Sequence, residues 1–224
     1  MEDYDDESCE RVKEEPSFLN LDPAIKDIEW KENLYPIEVH LHGEINSDSV
    51  SEFETTFREA QRSGQKEIPL VIHSVGGDMY DALKIVDLIL TSSIPVTTIV
   101  RGAAMSAAVM IFSCGERRII GPHASIMIHS VHTGYMGGKL GDVKVETQEM
   151  ERLTELMAKI LSENTGKQKG FFVKKFSSNT DCYMSPEEAI KCNLATQIGD
   201  ARLRTSVVVN SAIEVIPYKK RKRR

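Results

Sequence analysis

Three side chains of the sequence have the types that acyl-transfer chemistry needs. Ser106 lies among small residues, His129 follows a short apolar run, and Asp181 precedes a helix-start signal. A serine hydroxyl becomes a competent nucleophile when an imidazole accepts its proton and a carboxylate orients that imidazole, and such triads occur in any chain order. These three residues are therefore candidates for nucleophile, general base and orienting carboxylate.

Two further features suit the same chemistry. The small residues around Ser106 would let an extended peptide approach the hydroxyl, and they leave backbone N–H groups facing developing negative charge. Gly76 and Gly77 are suited to an oxyanion hole because glycine permits a close backbone approach. Taken singly, each feature also has an ordinary structural explanation. A serine among alanines often packs in a helix, and a Gly-Gly pair often forms a plain turn. A histidine after a strand often has its hydrogen bonds satisfied in the core, and an aspartate before a helix is often solvated.

The elements that must position these residues follow an alternating order of strands and helices. Apolar runs predict strands at 37–42, 68–72, 95–100, 118–120 and 125–128, and three- and four-residue spacing predicts helices at about 79–90, 142–163 and 170–176. Ser185, Pro186 and Glu188 form a helix-start signal. Because strands that alternate with helices usually pair in parallel through crossover connections, the pattern predicts an α/β fold.

Several element boundaries are predicted from local signals. A turn is expected at Gly43, and the helix after it is expected to begin with Ser47 or Asp48 as its N-cap. Residues 74–78 are expected to form the turn before the next helix, and the small residues 102–108 are expected to open the third.

Four segments together resemble the ClpP family, the proteolytic subunit of the Clp protease. They match in family order and are residues 72–87, 101–108, 124–130 and 181–189. The resemblance extends from about residue 37 to residue 200. It implies Ser106 as nucleophile, His129 as general base and Asp181 as the orienting carboxylate. It also implies that the backbone N–H groups of Gly77 and Ala107 form the oxyanion hole.

The resemblance also implies an architecture and an assembly. The fold would be a ClpP/crotonase-like α/β superhelix of β-β-α units with a protruding handle at 132–163, made of the helix and a glycine-rich strand before it. Fourteen subunits in two stacked heptameric rings would enclose a chamber, and an AAA+ unfoldase would use ATP to thread unfolded protein into it. This chain itself would need no cofactor. The sequence departs from the family at both ends and at Thr180, where the family has an arginine.

Composition and charge indicate one globular domain with two extensions. The chain has 224 residues, 41% hydrophobic and 28% charged, and no apolar run long enough to span a membrane. We predict an acidic extension at 1–34 with Trp30 as an anchor near its end, a protease domain at 35–203, and a C-terminal extension at 204–224. The net charge is −6. Outside the basic tail Lys219–Arg224 the sequence shows no evident basic patch, so nucleic-acid binding is not expected.

Cysteine usage and the first residues indicate a location. The four cysteines are far apart and form no C-x-x-C pair, which is typical of reduced thiols and does not favour a structural metal site. The chain starts with acidic residues where a secretory signal would be basic and then apolar. We therefore expect a cytoplasmic protein.

The main hypothesis is a serine endopeptidase that cleaves unfolded proteins or peptides through an acyl-enzyme inside a ring-shaped chamber. A close alternative is a specialised processing protease, for example a viral one, that works without an unfoldase. A different alternative is a catalytically silent structural ring subunit. A crotonase-type acyl-CoA enzyme shares the expected fold, but the sequence offers no recognisable nucleotide site.

Overall fold

The computed structural model describes residues 36–134, 137–176 and 180–201. Within them lie the strands β1 (Val39–Ile45), β2 (Ile68–Gly77), β3 (Val96–Met105), β4 (Arg117–Ile120), β5 (Ser125–Ile128), β6 (Cys182–Met184) and β7 (Gln197–Ile198). The helices of these residues are α1 (Ser47–Arg62), α2 (Met79–Leu90), α3 (Ala107–Ser113), α4 (Leu140–Thr165), α5 (Lys169–Phe176) and α6 (Pro186–Lys191).

The strands form one largely parallel sheet, as the alternating sequence pattern predicts. Its main order is β1-β2-β3-β4-β7, and all of these neighbours pair in parallel. Strand β5 pairs in parallel with the carboxyl-terminal part of β3 and in antiparallel fashion with β6. The first half of β3 therefore pairs with β4 and its last three residues pair with β5.

The core lies between this sheet and helices α1 to α4. The first five residues of both β2 and β3 are buried, which is typical of central parallel strands. Helix α1 buries one apolar face, consisting of Val50, Phe53, Phe57 and Ala60, as its spacing predicts. Helix α3 is buried along its whole length between β2, α2 and α4, so the residue before it is held by packed structure on several sides.

The predicted turn at Gly43 is wrong, because β1 continues through it to Ile45. Gly43 has φ of 76° and is followed by a register shift against β2, so the glycine supports a bulge within the strand.

The helix cap also differs from the prediction. Asn46, rather than Ser47 or Asp48, is the N-cap of α1, because its side chain accepts hydrogen bonds from the next helical N–H groups at 3.0 and 3.1 Å.

Strand pairing extends two strands beyond the ends that the sequence predicts. It replaces most of the predicted turn at 74–78 and delays the helix predicted to open within 102–108. Strand β2 continues to Gly77 because its last residues pair with the end of β1. Strand β3 continues to Met105 because residues 103–105 pair with β5, so the third helix begins only at Ala107. Backbone pairing with distant segments, which local composition does not report, extends both strands.

Helix α4 corresponds to the predicted handle helix and is longer than predicted at both ends. Gly166 ends it in the left-handed conformation, with φ of 68°. Its carboxyl-terminal half buries Leu153, Met157 and Leu161, whereas Leu140 and Val145 near its start are exposed. The glycine-rich strand expected before it is not found among the described residues of 129–139.

Some sequence-based predictions lie outside the described residues. These are the acidic extension with Trp30 and the basic tail, so the division at 1–34, 35–203 and 204–224 stays a prediction. Across the parts of the chain that the structure describes, every helix is too short or too polar to cross a lipid bilayer.

Candidate active site

Ser106 occupies a strained junction between β3 and α3. Its backbone has φ of 54° and ψ of −126°, a region that residues with a side chain rarely adopt. Its N–H donates to the carbonyl oxygen of Met127 at 2.8 Å, which fixes the junction to β5. Such strain costs on the order of 1–3 kcal/mol and persists only where the surrounding structure enforces it.

His129 reaches the same edge of the sheet as Ser106. Met105 pairs with Met127 in the parallel β3–β5 ladder, so the carboxyl ends of the two strands lie side by side at the same edge of the sheet. Ser106 and His129 then line one cavity of about 470 Å³. The structure therefore brings together two of the three predicted side chains.

The His129 ring has two polar neighbours. Its Nδ1 lies 2.5 Å from the carbonyl oxygen of Ser130 and 3.3 Å from Nδ1 of His132, which also lines the cavity. Among the hydrogen bonds of the described residues, none joins His129 to Ser106. Catalytic hydrogen bonds often tighten only in the complex with substrate, so this arrangement does not exclude His129 as a general base.

Asp181 is placed beside His129 by strand pairing. Ile128 pairs with Cys182 in the antiparallel β5–β6 ladder, and one step further along the two strands lie His129 and Asp181. The Asp181 residue is exposed, does not line the cavity, and makes no hydrogen bond to His129 within the described part of the chain. Strand pairing thus brings the two backbones together, but in the described structure no hydrogen bond joins the two side chains.

Gly76 and Gly77 bring the end of β2 against the Ser106 junction. A Cβ atom on Gly76, whose φ is 91°, would lie 2.7 Å from the carbonyl oxygen of Met105, 2.7 Å from the Cβ of Ser106 and 3.2 Å from the Ala107 nitrogen. Only glycine fits such an approach. Gly77 and Ala107 both line the cavity beside Ser106, and their role as an oxyanion hole stays a prediction.

The opposite wall of the cavity comes from α4 and was not predicted as part of the site. It is apolar at Met150, Leu153 and Met157 and acidic at Glu146 and Glu149. The three- and four-residue spacing of the apolar residues reveals a buried helix face, but the sequence carries no signal that this face covers Ser106. His132 was also missed, because a lone histidine in a loop has no distinctive spacing.

A polar link joins α2 to α4 at the edge of the cavity. The hydroxyl of Tyr80 donates to Glu149 at 2.5 Å, and Arg152 pairs with the same carboxylate at 2.6 Å. Hydrogen bonds from Arg152 and then Tyr80 lower the pKa of Glu149 to about 2, and the bond to Glu149 raises the pKa of Tyr80. Glu149 is therefore ionised at neutral pH and can hold both partners.

The cavity has acidic and imidazole groups but no lysine or arginine among the residues that line it in the described structure. Within the same residues, no group of three or more His, Cys, Asp or Glu side chains is arranged to hold a metal ion. Of the side chains that line the cavity in the described structure, Ser106 and His129 are the pair that the sequence predicts as nucleophile and general base.

Comparison with known proteins identifies the family and the fold. The family model for Clp protease matches residues 31–202, which is most of the chain. Among solved structures, a mutant of ClpP1 from Listeria monocytogenes matches with a TM-score of 0.66 and 23% sequence identity, over 75% of this chain and 93% of that chain. The structural match confirms the predicted α/β fold as a ClpP/crotonase fold, and the family match confirms the resemblance inferred from the four sequence segments. The chain belongs to the Clp protease family.

Proposed function

We propose that this chain is a serine endopeptidase that hydrolyses peptide bonds of unfolded proteins or peptides through an acyl-enzyme. One observation carries the proposal: in a chain of this family, Ser106 on its strained junction shares a cavity with His129, Gly77 and Ala107. A crotonase-type reaction would not call for a serine nucleophile beside an imidazole.

The proposed reaction uses these groups in two steps. Nε2 of His129 accepts the proton of Ser106 as Oγ bonds to the substrate carbonyl carbon, and the N–H groups of Gly77 and Ala107 stabilise the resulting oxyanion. His129 then gives the proton to the leaving amine, and the acyl-enzyme forms. A water molecule, deprotonated by His129, attacks the ester, releases the acid and returns the proton to Ser106.

We assign Asp181 the role of orienting carboxylate. Its position one step beyond the Ile128–Cys182 pair supports this role, because the carboxylate and the His129 ring are on neighbouring strand ends. Side-chain rotation of both residues is needed to join them. Substrate binding in the cavity, or contact with another subunit, would supply the free energy for that rotation.

The assembly and the partners are further parts of the proposal. The family forms oligomeric rings, which supports a chamber of two stacked heptameric rings for this chain. A chamber suits a peptidase with an open cleft, because access rather than a selective pocket then protects folded proteins. An AAA+ unfoldase would use ATP to deliver unfolded substrate, this chain would need no cofactor, and the assembly would be cytoplasmic.

A second candidate is a catalytically silent ring subunit. It is favoured by the lack of hydrogen bonds that join His129 to Ser106 or to Asp181 within the described structure. The two candidates differ in whether Ser106 ever becomes nucleophilic in solution, and a covalent probe of that serine separates them.

The deciding experiment is labelling of the purified protein with a fluorophosphonate probe, followed by sizing of the labelled species. We expect labelling of wild type on a ring-sized species and a loss of at least about 1,000-fold in Ser106→Ala. Ser125→Ala, which changes a serine in β5 outside the cavity, is the matched control and should label like wild type. A full-sized ring that never labels would contradict the protease proposal and support the silent subunit.

A further inference from the structure

We propose that Glu146 selects substrates whose acyl-donating residue is lysine or arginine: its carboxylate binds the cationic end of that side chain, and the apolar wall of α4 packs against the aliphatic part. The inference rests on the proposed function, in which Ser106 forms an acyl-enzyme. It assigns a substrate class to the cavity that neither the sequence motifs nor the family match supplies.

The carboxylates that line the cavity differ in what they already bind. Asp78 accepts two backbone N–H groups at the start of α2, both at 2.9 Å. Glu149 accepts hydrogen bonds from Tyr80 and Arg152. Glu146 lines the same cavity and has neither a hydrogen bond nor an ion pair with any other residue that the structure describes. Its carboxylate is thus free to bind a ligand.

The charges around Glu146 favour a cationic ligand. In the part of the chain that the structure describes, the lining holds Asp78, Glu146 and Glu149 but no lysine or arginine. Arg152, on the same helix, pairs with Glu149 at 2.6 Å. Glu146 is half-buried, and a half-buried carboxylate attracts a cation more strongly than a fully exposed one because water and salt screen it less. A cationic substrate side chain is therefore the complementary ligand.

The wall of the cavity beyond Glu146 suits the aliphatic stem of such a side chain. Glu146, Met150, Leu153 and Met157 all line the cavity and are spaced by four, three and four residues, so they share one face of α4. Leu153 and Met157 are buried, which makes this part of the wall apolar. A helix rises about 1.5 Å per residue, so Glu146 lies about 6 Å along the axis from Met150, close to the length of an extended lysine side chain.

Contacts of α3 place the nucleophile near the carboxyl-terminal part of this face. The side-chain amide of Asn164, near the end of α4, donates to Oγ of Ser113 at the end of α3 at 3.0 Å. Ala107, at the start of α3 and next to the nucleophile, shares the cavity with Met157. A substrate residue whose carbonyl carbon lies at the nucleophile can therefore lay its side chain along α4 towards Glu146.

Hydrolysis of coumarin amides of two acetylated tripeptides tests the proposal. One peptide ends in lysine and the other in norleucine after two alanines, so they differ mainly in the terminal ammonium group. In wild type, kcat/KM for the lysine peptide should exceed that for the norleucine peptide at least about tenfold, the gain expected for one charge-assisted hydrogen bond. Glu146→Gln should lower this ratio about tenfold. Because the ratio is taken within one protein, it does not depend on the fraction of active subunits.

A charge reversal and a matched control complete this experiment. Glu146→Lys should favour a glutamate peptide of the same design over the lysine peptide. Glu151→Gln should keep the wild-type ratio, because Glu151 is exposed on the same helix and does not line the cavity. A wild-type ratio of one or less, or an unchanged ratio in Glu146→Gln, would overturn the inference while leaving the protease function intact.

Equilibrium binding gives a second measurement that needs no hydrolysis. Fluorescence anisotropy would compare the affinities of Ser106→Ala for the lysine and norleucine peptides, each extended by one alanine and labelled with a neutral fluorophore. The lysine peptide should bind about tenfold more tightly, and the difference should vanish when Glu146→Gln is added. Equal affinities in Ser106→Ala would overturn the inference. A wild-type protein that neither hydrolyses peptides nor reacts with fluorophosphonate would instead overturn the proposed function, and the binding difference would still decide the role of Glu146.

Discussion

At the scale of single residues, Gly76 and Ser106 constrain each other's backbone. A methyl group on Gly76 would collide with Met105 and Ser106 at 2.7 Å, and the φ of 91° is unfavourable for alanine. We expect Gly76→Ala to lower the free energy of unfolding by about 1–3 kcal/mol and hydrolysis or probe labelling by at least about 100-fold. Chemical unfolding and labelling of Ser106 would measure the two effects.

Gly170→Ala provides the control for this substitution. Gly170 lies in α5, has no atom within 4 Å of a built Cβ and has ordinary helical geometry, so alanine should slightly stabilise the helix. Unimpaired labelling in Gly76→Ala would mean that the close approach of Gly76 to Ser106 does not determine the reactivity of the serine.

Cys114 gives a pH-dependent prediction at the same scale. Burial of its thiol raises the pKa from 9.0 to about 12, although part of the residue reaches the surface. The unfolded chain therefore releases this proton at lower pH than the folded chain, and stability falls as pH rises from 9 towards 12. We expect this group alone to cost about 1 kcal/mol between pH 9 and pH 10.

Cys114→Ser isolates that contribution, because a hydroxyl can replace the thiol in its bonds to Met110 and Asn164 without titrating. Urea unfolding of both proteins at pH 8, 9 and 10 would give the difference. Parallel pH dependences of wild type and Cys114→Ser would contradict the assigned pKa.

At the scale of elements, α2 and α4 meet through the Tyr80–Glu149 hydrogen bond over the cavity. Both side chains are substantially exposed, so the bond should contribute little to global stability but should restrain the start of the handle helix. Tyr80→Phe should accelerate hydrogen exchange of the amides in the first half of α4, with a change in unfolding free energy within about 0.5 kcal/mol.

Tyr183→Phe is a matched control, since Tyr183 is similarly exposed at 58%, against 56% for Tyr80, and lies on β6 away from the cavity. It should leave exchange in α4 unchanged. Equal exchange in wild type and Tyr80→Phe would mean that packing near Leu153 and Met157, rather than this polar link, holds the helix.

At the scale of the whole molecule, the start of α4 exposes two apolar side chains. Leu140 is 72% and Val145 67% exposed, although most of the other side chains of their size in the described residues are buried. In the proposed double ring, the handles of facing rings would cover this surface. We expect Val145→Glu to halve the assembly mass into single rings, because a buried unpaired carboxylate is costly.

Native mass spectrometry of Val145→Glu and of Val145→Leu, which keeps an apolar side chain, would test this. Val145→Leu should retain the wild-type mass. A Val145→Glu protein with the full wild-type mass would place the ring contact elsewhere, and a wild-type chain of single-subunit mass would remove the chamber from the proposal.

The sequence alone determined much of this protein. The two periodicities of its apolar residues predict the alternating strands and helices, because burial of one face fixes a period of two or 3.6 residues. The structure has the helix Met79–Leu90 with the predicted bounds. It also has a helix start at the predicted signal of Ser185, Pro186 and Glu188, because caps and spacing are local features. The four family segments sufficed to identify the family.

Only the tertiary structure decided where the chemistry is held and what surrounds it. Gly43, Gly77 and Met105 lie inside strands because distant backbones pair with them, and local composition carries no trace of a partner. The same long-range pairing, between β3 and β5, lies next to Ser106 and its strained backbone. It also brings His132 to His129, a contact that depends on the path of a loop rather than on the spacing of any motif.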